Sequence, residues 1–206
     1  MELISIACVN KNMGIGKNGK LLYHIPEDLE FFKELTYGNT VIFGRKTLET
    51  FPNGLPLNNR RNIVLSKTLK SIPDKIKNSV DYCSIIGKSE TGILMPIDIY
   101  KGDNNKNTSL FVVDDIEDLS HVLNLIIDPN SKVFIIGGES IYKQFIPYCA
   151  KAIFTIVDSD LEADAFFPDI LNDKNWEIES KNPFRSTPNG LRYQFVTYKN
   201  LKVNTL

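Results

Sequence analysis

The carboxylate of Asp28 stands where a helix is expected to begin, beside apolar side chains. Pro26 and Glu27 precede it, and proline and acidic residues are favoured in a first helical turn. Leu29 and Phe32 give this turn an apolar surface, because residues four apart share a helix face. A carboxylate in such surroundings has a raised pKa and can act in proton chemistry or bind an amidine-like edge through both oxygens. The alternative is a plain helix-start acid that complements the helix dipole.

Two short polar segments combine cations with hydroxyl groups and could bind phosphate. Residues 44–47 (GRKT) follow one apolar run, and residues 66–67 (SK) follow the next. Backbone N–H groups at the start of a helix, together with Arg, Lys and hydroxyl side chains, form a phosphate site. At two neighbouring strand ends, these segments would suit a nucleotide with an additional ribose phosphate. A solvated basic turn explains the same residues equally well.

A pair of glycines follows another apolar run. Ile136 ends that run, and Gly137, Gly138 and Glu139 come next. The two glycines would let the backbone approach a pyrophosphate at the start of a helix. Because the segment lacks the full dinucleotide-binding fingerprint, a tight turn is an equal explanation.

The composition of the chain argues against several other kinds of site. The 206 residues carry a net charge of −1, so we expect no general attraction to nucleic acid or to an anionic membrane. Cys8, Cys83 and Cys149 are too few and too widely spaced for a disulfide framework or a zinc site, and they favour a reducing compartment. His24 and His121 lack the spacing of metal ligands. The chain shows no basic leader and no apolar run of membrane-spanning length, so we expect a cytoplasmic protein without a membrane anchor.

Short apolar runs alternate with helical patterns along most of the chain. Strand-like runs lie at residues 3–9, 40–43, 62–65, 80–86, 110–113, 132–136 and 152–157, and helical patterns begin at Pro26 and cover residues 116–127 and 140–146. This order predicts an α/β fold: a single domain with a mainly parallel central β-sheet and helices on both of its faces. The alternating tail on either side of residues 188–190 predicts a C-terminal antiparallel hairpin. Ligands of such sheets bind at the carboxyl ends of the strands, where the candidate residues stand.

Two stretches interrupt this pattern. Gly14, Gly16 and Gly19 predict a mobile glycine-rich loop after the first strand. Residues 87–108 are polar and rich in Gly, Lys and Asn, with an apolar patch at residues 92–100. They predict an inserted hairpin or loop within a single domain of residues 1–206.

Five ordered blocks of the sequence resemble the dihydrofolate reductase family. Residues 13–33 carry a glycine-rich loop and then an acid-bearing helix, and residues 41–50 (VIFGRKTLET) match the family block V-I-M-G-R-K-T-x-E-S. Residues 57–66 match the next block, residues 133–142 a block containing I-G-G-x-x-x-Y, and residues 162–168 a late acidic-aromatic signature. The blocks cover most of the chain outside the insertion, and they favour the functional interpretation of Asp28 and Arg45.

The resemblance implies a catalytic set of three residues. Asp28 would pair with the amino group and a ring N–H of the pterin and would promote protonation of the ring nitrogen through water. Thr155 would hydrogen-bond Asp28 or the pterin. Leu22 and Tyr23 stand where the family has Pro-Trp. Because that tryptophan orders water near the acid, Tyr23 is expected to change the water network.

The resemblance also implies two sets of binding residues and no metal site. The substrate would be lined by Ile6, Ala7, Leu29, Phe32, Phe51, Leu57 and Ile136, with the Ile6 and Ile136 carbonyls facing the ligand and Arg60 holding the glutamate carboxylate. Asp164 would steady the glycine-rich loop over the site. NADPH would be bound by Ala7, Ile15, Gly16, Gly19, Lys20, Gly44, Arg45, Lys46, Thr47, Leu65, Ser66, Lys67, Ile136, Gly137, Gly138, Glu139, Ser140, Ile141 and Tyr142.

The activity that the resemblance implies is NADPH-dependent reduction of dihydrofolate to tetrahydrofolate, by direct hydride transfer to the pterin C=N bond. Such an enzyme supplies one-carbon carriers for thymidylate and purine synthesis and binds antifolate-type inhibitors; we expect a monomer. One alternative is a sister reductase of the same fold that reduces a ribosylated pyrimidine in riboflavin synthesis; Asp28 and Arg60 favour the folate substrate. The other alternative is a non-catalytic nucleotide-binding module, which would have no need of Asp28 and Thr155.

Overall fold

The computed structural model describes residues 1–89, 93–102 and 107–206 of the chain. The strands, in chain order, are β1 Glu2–Asn10, β2 Gly14–Lys17, β3 Lys20–Leu21, β4 Thr40–Gly44, β5 Arg61–Leu65, β6 Tyr82–Lys88, β7 Leu94–Lys101, β8 Ser109–Val113, β9 Lys132–Gly137, β10 Lys151–Val157, β11 Ala165–Phe166, β12 Trp176–Lys181, β13 Arg185–Ser186 and β14 Arg192–Asn200. The helices are α1 Pro26–Thr36, α2 Arg45–Thr50, α3 Asp74–Lys77, α4 Ile116–Ile126 and α5 Glu139–Phe145, and 3-10 turns cover Pro52–Gly54 and Ile146–Tyr148. Within these described ranges, no helix is long and apolar enough to cross a lipid bilayer.

The first of two compact units comprises Met1 and Thr36–Val133. Its strands follow the order β4-β5-β8-β6-β7. The first four of these run parallel, and β7 is antiparallel to β6. Ile63 and Val112 have no exposed surface, as expected for parallel strands buried on both faces. Gly44 of β4 lies opposite Leu65 of β5, so the residues that follow these two strands emerge side by side.

The second unit comprises Glu2–Leu35 and Phe134–Leu206. Its strands follow the order β12-β14-β10-β1-β9. β1 and β10 are parallel, with Cys8 opposite Thr155. β14 is antiparallel to both β10 and β12, and its pairing with β12 is the hairpin predicted from the alternating tail. The predicted α/β class, with a mainly parallel sheet and antiparallel C-terminal strands, is confirmed.

Helix α1 begins at Pro26, where the sequence predicts it. The proline ring suits a first helical turn, and Glu27 and Asp28 complement the positive end of the helix dipole. The helix ends at Thr36, and Gly38 follows with a φ of 72°. Glycine adopts this left-handed conformation without strain, so the sequence ends the helix at a defined place.

The glycine-rich segment forms a strand pair, whereas its three closely spaced glycines predict a loop. β2 and β3 are antiparallel, with Gly16 opposite Leu21, and β11 pairs with the other edge of β2. Asn18 and Gly19 make the connection, with φ angles of 51° and 72°. Asn-Gly with two positive φ angles is the preferred two-residue hairpin turn. The Asn18-Gly19 dipeptide is therefore a hairpin signal in the sequence, although the three glycines of the segment favoured a loop.

The predicted insertion at residues 87–108 is described only in part. Residues 90–92 and 103–106 lie outside the described residues. Between these two gaps, β7 pairs with β6, from Lys101 opposite Tyr82 to Leu94 opposite Lys88. The interpretation of this segment as an insertion in a single domain stays a prediction.

Candidate active site

Asp28 lies in the first turn of α1, and its carboxylate meets a hydroxyl group of β10. Thr155 Oγ1 donates a hydrogen bond of 2.5 Å to Asp28 Oδ1. Burial raises the pKa of the Asp28 carboxyl above its ordinary value, and the hydrogen bond from Thr155 opposes this rise in part. A fixed and partly desolvated carboxylate can therefore hold a proton closer to neutral pH than an exposed carboxylate does.

Strand β1 runs beside this pair. Burial, and then the charge of Asp28, raise the pKa of the Cys8 thiol, which keeps the thiol neutral. The Ile6 carbonyl oxygen accepts a hydrogen bond of 2.7 Å from the buried hydroxyl of Tyr142. The resemblance assigns the Ile6 carbonyl to the ligand, but one of its lone pairs is already used by Tyr142.

Tyr23 makes no hydrogen bond to Asp28 in the part of the chain that the structure describes. Its ring packs against a buried cluster of Ile25, Val157 and Tyr193. Its hydroxyl is buried and has no hydrogen-bond partner among the described residues. The ring therefore has a packing role, while the predicted catalytic role is left without a supporting contact.

Replacing Tyr23 with phenylalanine should raise the free energy of unfolding by about 1 kcal/mol, because a buried hydroxyl without a partner carries an uncompensated desolvation cost. Urea denaturation of the variant and the wild type measures this difference. The control is Tyr198→Phe, which removes a hydroxyl from a partly buried tyrosine of β14. A Tyr23→Phe variant that is less stable than the wild type, or that loses more than tenfold in kcat, would show that the hydroxyl has a partner or a role in the reaction.

Strand β9 ends in the turn Gly137-Gly138, whose peptide bond is cis, and α5 follows directly. Gly137 has a φ of 120°, and a Cβ atom there would lie 3.3 Å from the Tyr142 hydroxyl oxygen. Both the positive φ and this close approach favour glycine. The backbone of the turn is therefore not covered by a side chain of its own.

Asn10 and Asp164 anchor the hairpin of β2 and β3. Asn10 Oδ1 accepts a hydrogen bond of 2.7 Å from the backbone N–H of Gly14. Asp164 Oδ2 accepts one of 2.7 Å from the N–H of Asn18, and the N–H of Asp164 donates one of 3.0 Å to the Gly16 carbonyl. The family resemblance implies this steadying role for Asp164, whereas Asn10 is not among the predicted residues. The signal for Asn10 was a polar residue at the end of an apolar strand.

Replacing Gly14 with alanine should distort this hairpin, because the new Cβ would lie only 2.6 Å from the Cβ of Ala163. Overpacking of this kind costs about 1–3 kcal/mol. We expect a lower free energy of unfolding and a higher KM for NADPH. The double variant Gly14→Ala/Ala163→Gly removes this closest contact but leaves the new Cβ 3.0 Å from the Asn10 amide atoms, so it should recover only part of both losses. Equal losses in the single and double variants would mean that contact with Ala163 is not the cause.

Cationic and hydroxyl side chains follow the adjacent ends of β4 and β5. Arg45 forms an ion pair with Glu49, one helical turn later in α2, and Lys46 is exposed. Ser66 is buried, and its Oγ accepts a hydrogen bond of 3.1 Å from the N–H of Leu69. Ser66 Oγ also lies 3.3 Å from Thr68 Oγ1, and either hydroxyl can be the donor of that hydrogen bond. One of these two hydroxyl groups therefore keeps a hydrogen for an anion.

Arg60 is 7% exposed, and its guanidinium is held in a defined orientation. Nη2 and Nε donate to Thr36 Oγ1 at 3.1 and 3.3 Å, and Nη1 donates to the Asn58 carbonyl at 2.6 Å. The guanidinium carbon lies 5.4 Å from the centre of the Tyr37 ring. Burial lowers the pKa of Arg60, but a guanidinium keeps its charge at neutral pH. Arg60 and Arg61 line a cavity of about 230 Å³.

Asn62 holds the loop that carries Leu57 and Arg60, and it is not among the residues predicted from the sequence. Its side chain has no exposed surface. Oδ1 accepts from the Leu57 N–H at 2.9 Å. The two hydrogens of Nδ2 are shared among the carbonyls of Leu57, Arg60 and Ser109, at 3.0, 3.1 and 3.1 Å. An amide side chain at the start of an apolar strand run was the available signal.

The other predicted residues differ in their exposure. Phe51 packs edge-on against Phe43, with ring centres 4.9 Å apart. Eight of the eighteen remaining residues are partly buried, which suits side chains that line a ligand, and the other ten are buried or exposed. The buried members are Ala7, Gly16, Leu65, Ile136 and Ile141; the partly buried ones are Ile15, Phe32, Gly44, Thr47, Phe51, Leu57, Gly138 and Glu139; the exposed ones are Gly19, Lys20, Leu29, Lys67 and Ser140.

Comparison with known proteins decides the family. The family model described as dihydrofolate reductase matches residues 2–94 and 99–200. The chain belongs to the dihydrofolate reductase family. The predicted family is thereby confirmed, and so is the predicted class of NADPH-dependent oxidoreductase.

Individual dihydrofolate reductases match over nearly their whole length. The enzyme of Neisseria meningitidis serogroup B is 30% identical over 198 residues, which are 96% of this chain and 98% of the relative. The enzyme of Bacillus subtilis is 28% identical over 195 residues, which are 94% of this chain and 92% of the relative. The solved structure of dihydrofolate reductase from Enterococcus faecalis, complexed with NADP(H) and RAB-propyl, is 28% identical with a TM-score of 0.67 and covers 97% of this chain and 96% of that one.

Within each compact unit of this dihydrofolate reductase, the hydrogen bonds and close contacts show which of the predicted residues meet. In one unit, Asp28 meets Thr155, and Tyr142 meets both Gly137 and Ile6. Tyr23 is not joined to the acid by a hydrogen bond among the described residues. In the other unit, the buried amide of Asn62 ties together the loop of Leu57 and Arg60.

Proposed function

We propose that Asp28 carries the chemistry of dihydrofolate reduction in this chain. The observation that carries the proposal is the pair of Asp28 and Thr155. The hydroxyl hydrogen bond of 2.5 Å fixes one carboxylate oxygen, and burial raises the pKa of the same carboxyl. A module that only binds a nucleotide gains nothing from such a pair, whereas a reductase that must deliver a proton uses both features.

Asp28 binds the pterin and supports its protonation. Because Thr155 holds Oδ1, the plane of the carboxylate is defined, and it can accept an amino group and a ring N–H side by side. The raised pKa lets the carboxyl hold a proton and promote protonation of the ring nitrogen through water. NADPH, when bound, supplies the hydride for the pterin C=N bond.

Two features support binding of NADPH. The first is the turn of Gly137 and Gly138, where Gly137 has a positive φ and a Cβ atom on it would lie 3.3 Å from the Tyr142 hydroxyl oxygen. A backbone without a side chain lets a flat ring or a phosphate approach closely. The second is the set that follows β4 and β5, namely Arg45, Lys46, Thr47, Ser66 and Lys67, which would hold the cofactor phosphates.

Arg60 is the proposed partner of the glutamate carboxylate of the substrate. Thr36 and Asn58 hold its guanidinium, so little side-chain entropy is lost when a carboxylate binds. Low solvent exposure strengthens an ion pair in the bound state. Leu57, tied to the same loop by Asn62, would pack on the aromatic ring of the substrate.

Loss of the absorbance of reduced nicotinamide on mixing the protein, NADPH and dihydrofolate tests the proposal. We expect rapid turnover that requires both substrates. Turnover of a ribosylated pyrimidine instead of dihydrofolate would favour the sister reductase. Tight binding of NADPH with no turnover of either substrate would favour a nucleotide-binding module.

We also propose that the protein is a cytoplasmic monomer that supplies one-carbon carriers, and that antifolate-type inhibitors occupy the place of dihydrofolate. The net charge of −1 supports the absence of a general attraction to nucleic acid. Light scattering tests the monomer, and competition between dihydrofolate and a diaminopyrimidine tests the shared place.

A further inference from the structure

The carboxylate of Glu139 bridges the first turn of α5 to strand β11. Glu139 Oε2 accepts a hydrogen bond of 3.1 Å from the backbone N–H of Phe166, although 27 residues separate the two. Glu139 Oε1 accepts from Lys143 Nζ at 2.5 Å. The hydrogen bond from Lys143, and then that from Phe166, lower the pKa of Glu139, so the acceptor is ionised at neutral pH. Charged acceptors make the stronger hydrogen bonds.

Strand β11 is the element that holds the glycine-rich hairpin. Ala165 lies opposite Gly16, and Phe166 lies opposite Gly14 of β2. The N–H of Phe167 donates to the Met13 carbonyl at 2.8 Å. A displacement of β11 therefore carries β2 with it.

Helix α5 makes a second contact with the segment of β11, through Tyr142. Tyr142, three residues after Glu139, has its ring centre 4.5 Å from that of Phe167. The hydroxyl of Tyr142 is bonded to Ile6 of β1, so this ring is fixed in place. Residues three apart lie on the same helix face, so Glu139 and Tyr142 meet successive residues of one segment.

We propose that Glu139 is a positioning residue that ties the glycine-rich hairpin to the Gly137-Gly138 turn. Through the N–H of Phe166, it sets the place of β11, and through β11 the place of β2 and β3. The inference rests on the proposed role of the Gly137-Gly138 turn in binding NADPH. It assigns Glu139 no contact with the cofactor, which differs from the contact that the family resemblance implies.

The test compares Glu139→Ala, which removes the acceptor, with Glu139→Gln, which keeps an oxygen for the Phe166 N–H. Lys143→Met is the matched control, because it removes the ion pair and leaves the Phe166 hydrogen bond. For Glu139→Ala we expect NADPH to dissociate about three- to tenfold faster from the binary complex, with a matching rise in KM and a smaller change in kcat. Glu139→Gln should recover most of the loss, and Lys143→Met should behave as the wild type.

Hydrogen exchange of the Phe166 amide gives a second measurement that does not depend on activity. The amide should exchange faster in Glu139→Ala and stay protected in Glu139→Gln. Unchanged NADPH dissociation in Glu139→Ala, or equal losses in Glu139→Gln and Lys143→Met, would overturn the proposal. Because dissociation is measured without dihydrofolate, a failure of the proposed reaction would appear separately, as absent turnover in the wild type.

Discussion

Replacing Asp28 with asparagine should lower kcat/KM for dihydrofolate by about a hundred- to ten-thousand-fold, the usual contribution of a positioned acid. Asparagine keeps the size of the side chain and can still accept the hydrogen bond from Thr155. It has no negative charge and cannot hold a proton for transfer. Steady-state kinetics measure the loss, and titration with NADPH should give a Kd close to that of the wild type.

The Asp28→Asn replacement should lower activity but raise the free energy of unfolding at neutral pH. Burial holds the pKa of Asp28 above its ordinary value of 3.8 in the folded state, so folding favours the protonated form. The favourable contribution of protonated Asp28 to the free energy of unfolding is present below pH 3.8 and is lost as the pH rises through the folded-state pKa. At neutral pH the ionised carboxylate is therefore a cost, and Asp28→Asn should be more stable than the wild type. The difference should disappear in acid.

Glu27→Gln is the matched control for this experiment, because Glu27 is the neighbouring acid of the same helical turn and is exposed. It should leave both kcat/KM and stability nearly unchanged. If Asp28→Asn retained more than a tenth of the wild-type activity, another group would have to support protonation of the pterin.

Replacing Asn62 with alanine should lower the free energy of unfolding by about 3 kcal/mol, since hydrogen bonds contribute about 1 kcal/mol each and buried groups left unpaired cost more. The change removes the bonds to Leu57, Arg60 and Ser109 at once. Because Leu57 and Arg60 belong to the proposed substrate-binding set, KM for dihydrofolate should rise as well. Urea denaturation and steady-state kinetics give the two values.

Asn58→Ala provides the control in the same loop. The Asn58 side chain is exposed, and Arg60 is bonded to its backbone carbonyl, which alanine retains. We expect a stability change within about 0.5 kcal/mol of zero, as for most surface positions. Similar losses in Asn58→Ala and Asn62→Ala would show that the loop tolerates no change of sequence and that the buried amide has no special role.

Local patterns in the sequence determined the fold class and the ends of several elements. The proline and acids at residues 26–28 marked the start of α1, and Gly38 marked its end, because capping and left-handed conformations depend on neighbouring residues. The apolar runs determined the strands, because the alternation and length of apolar residues are also local properties of the sequence. The glycine-rich hairpin was missed, although Asn18 and Gly19 contained a local signal for it. Five ordered blocks were enough to indicate the family, which the comparisons confirm.

The tertiary structure decided which polar groups meet, although the family resemblance had already indicated that Thr155 hydrogen-bonds Asp28 or the pterin. Thr155 and Asp28 are 127 residues apart, and Tyr142 and Ile6 are 136 apart, so no local period relates them. Asn62 could be seen as a polar residue in an apolar run, but its partners became known only when the loop folded back over its side chain. Likewise, the carboxylate of Glu139 turned to the N–H of Phe166 because β11 passes beside the first turn of α5. Residue types determined what each side chain of this chain is able to do. The pairing of those side chains required the strands and helices to be assembled, because a hydrogen bond depends on the position of both partners.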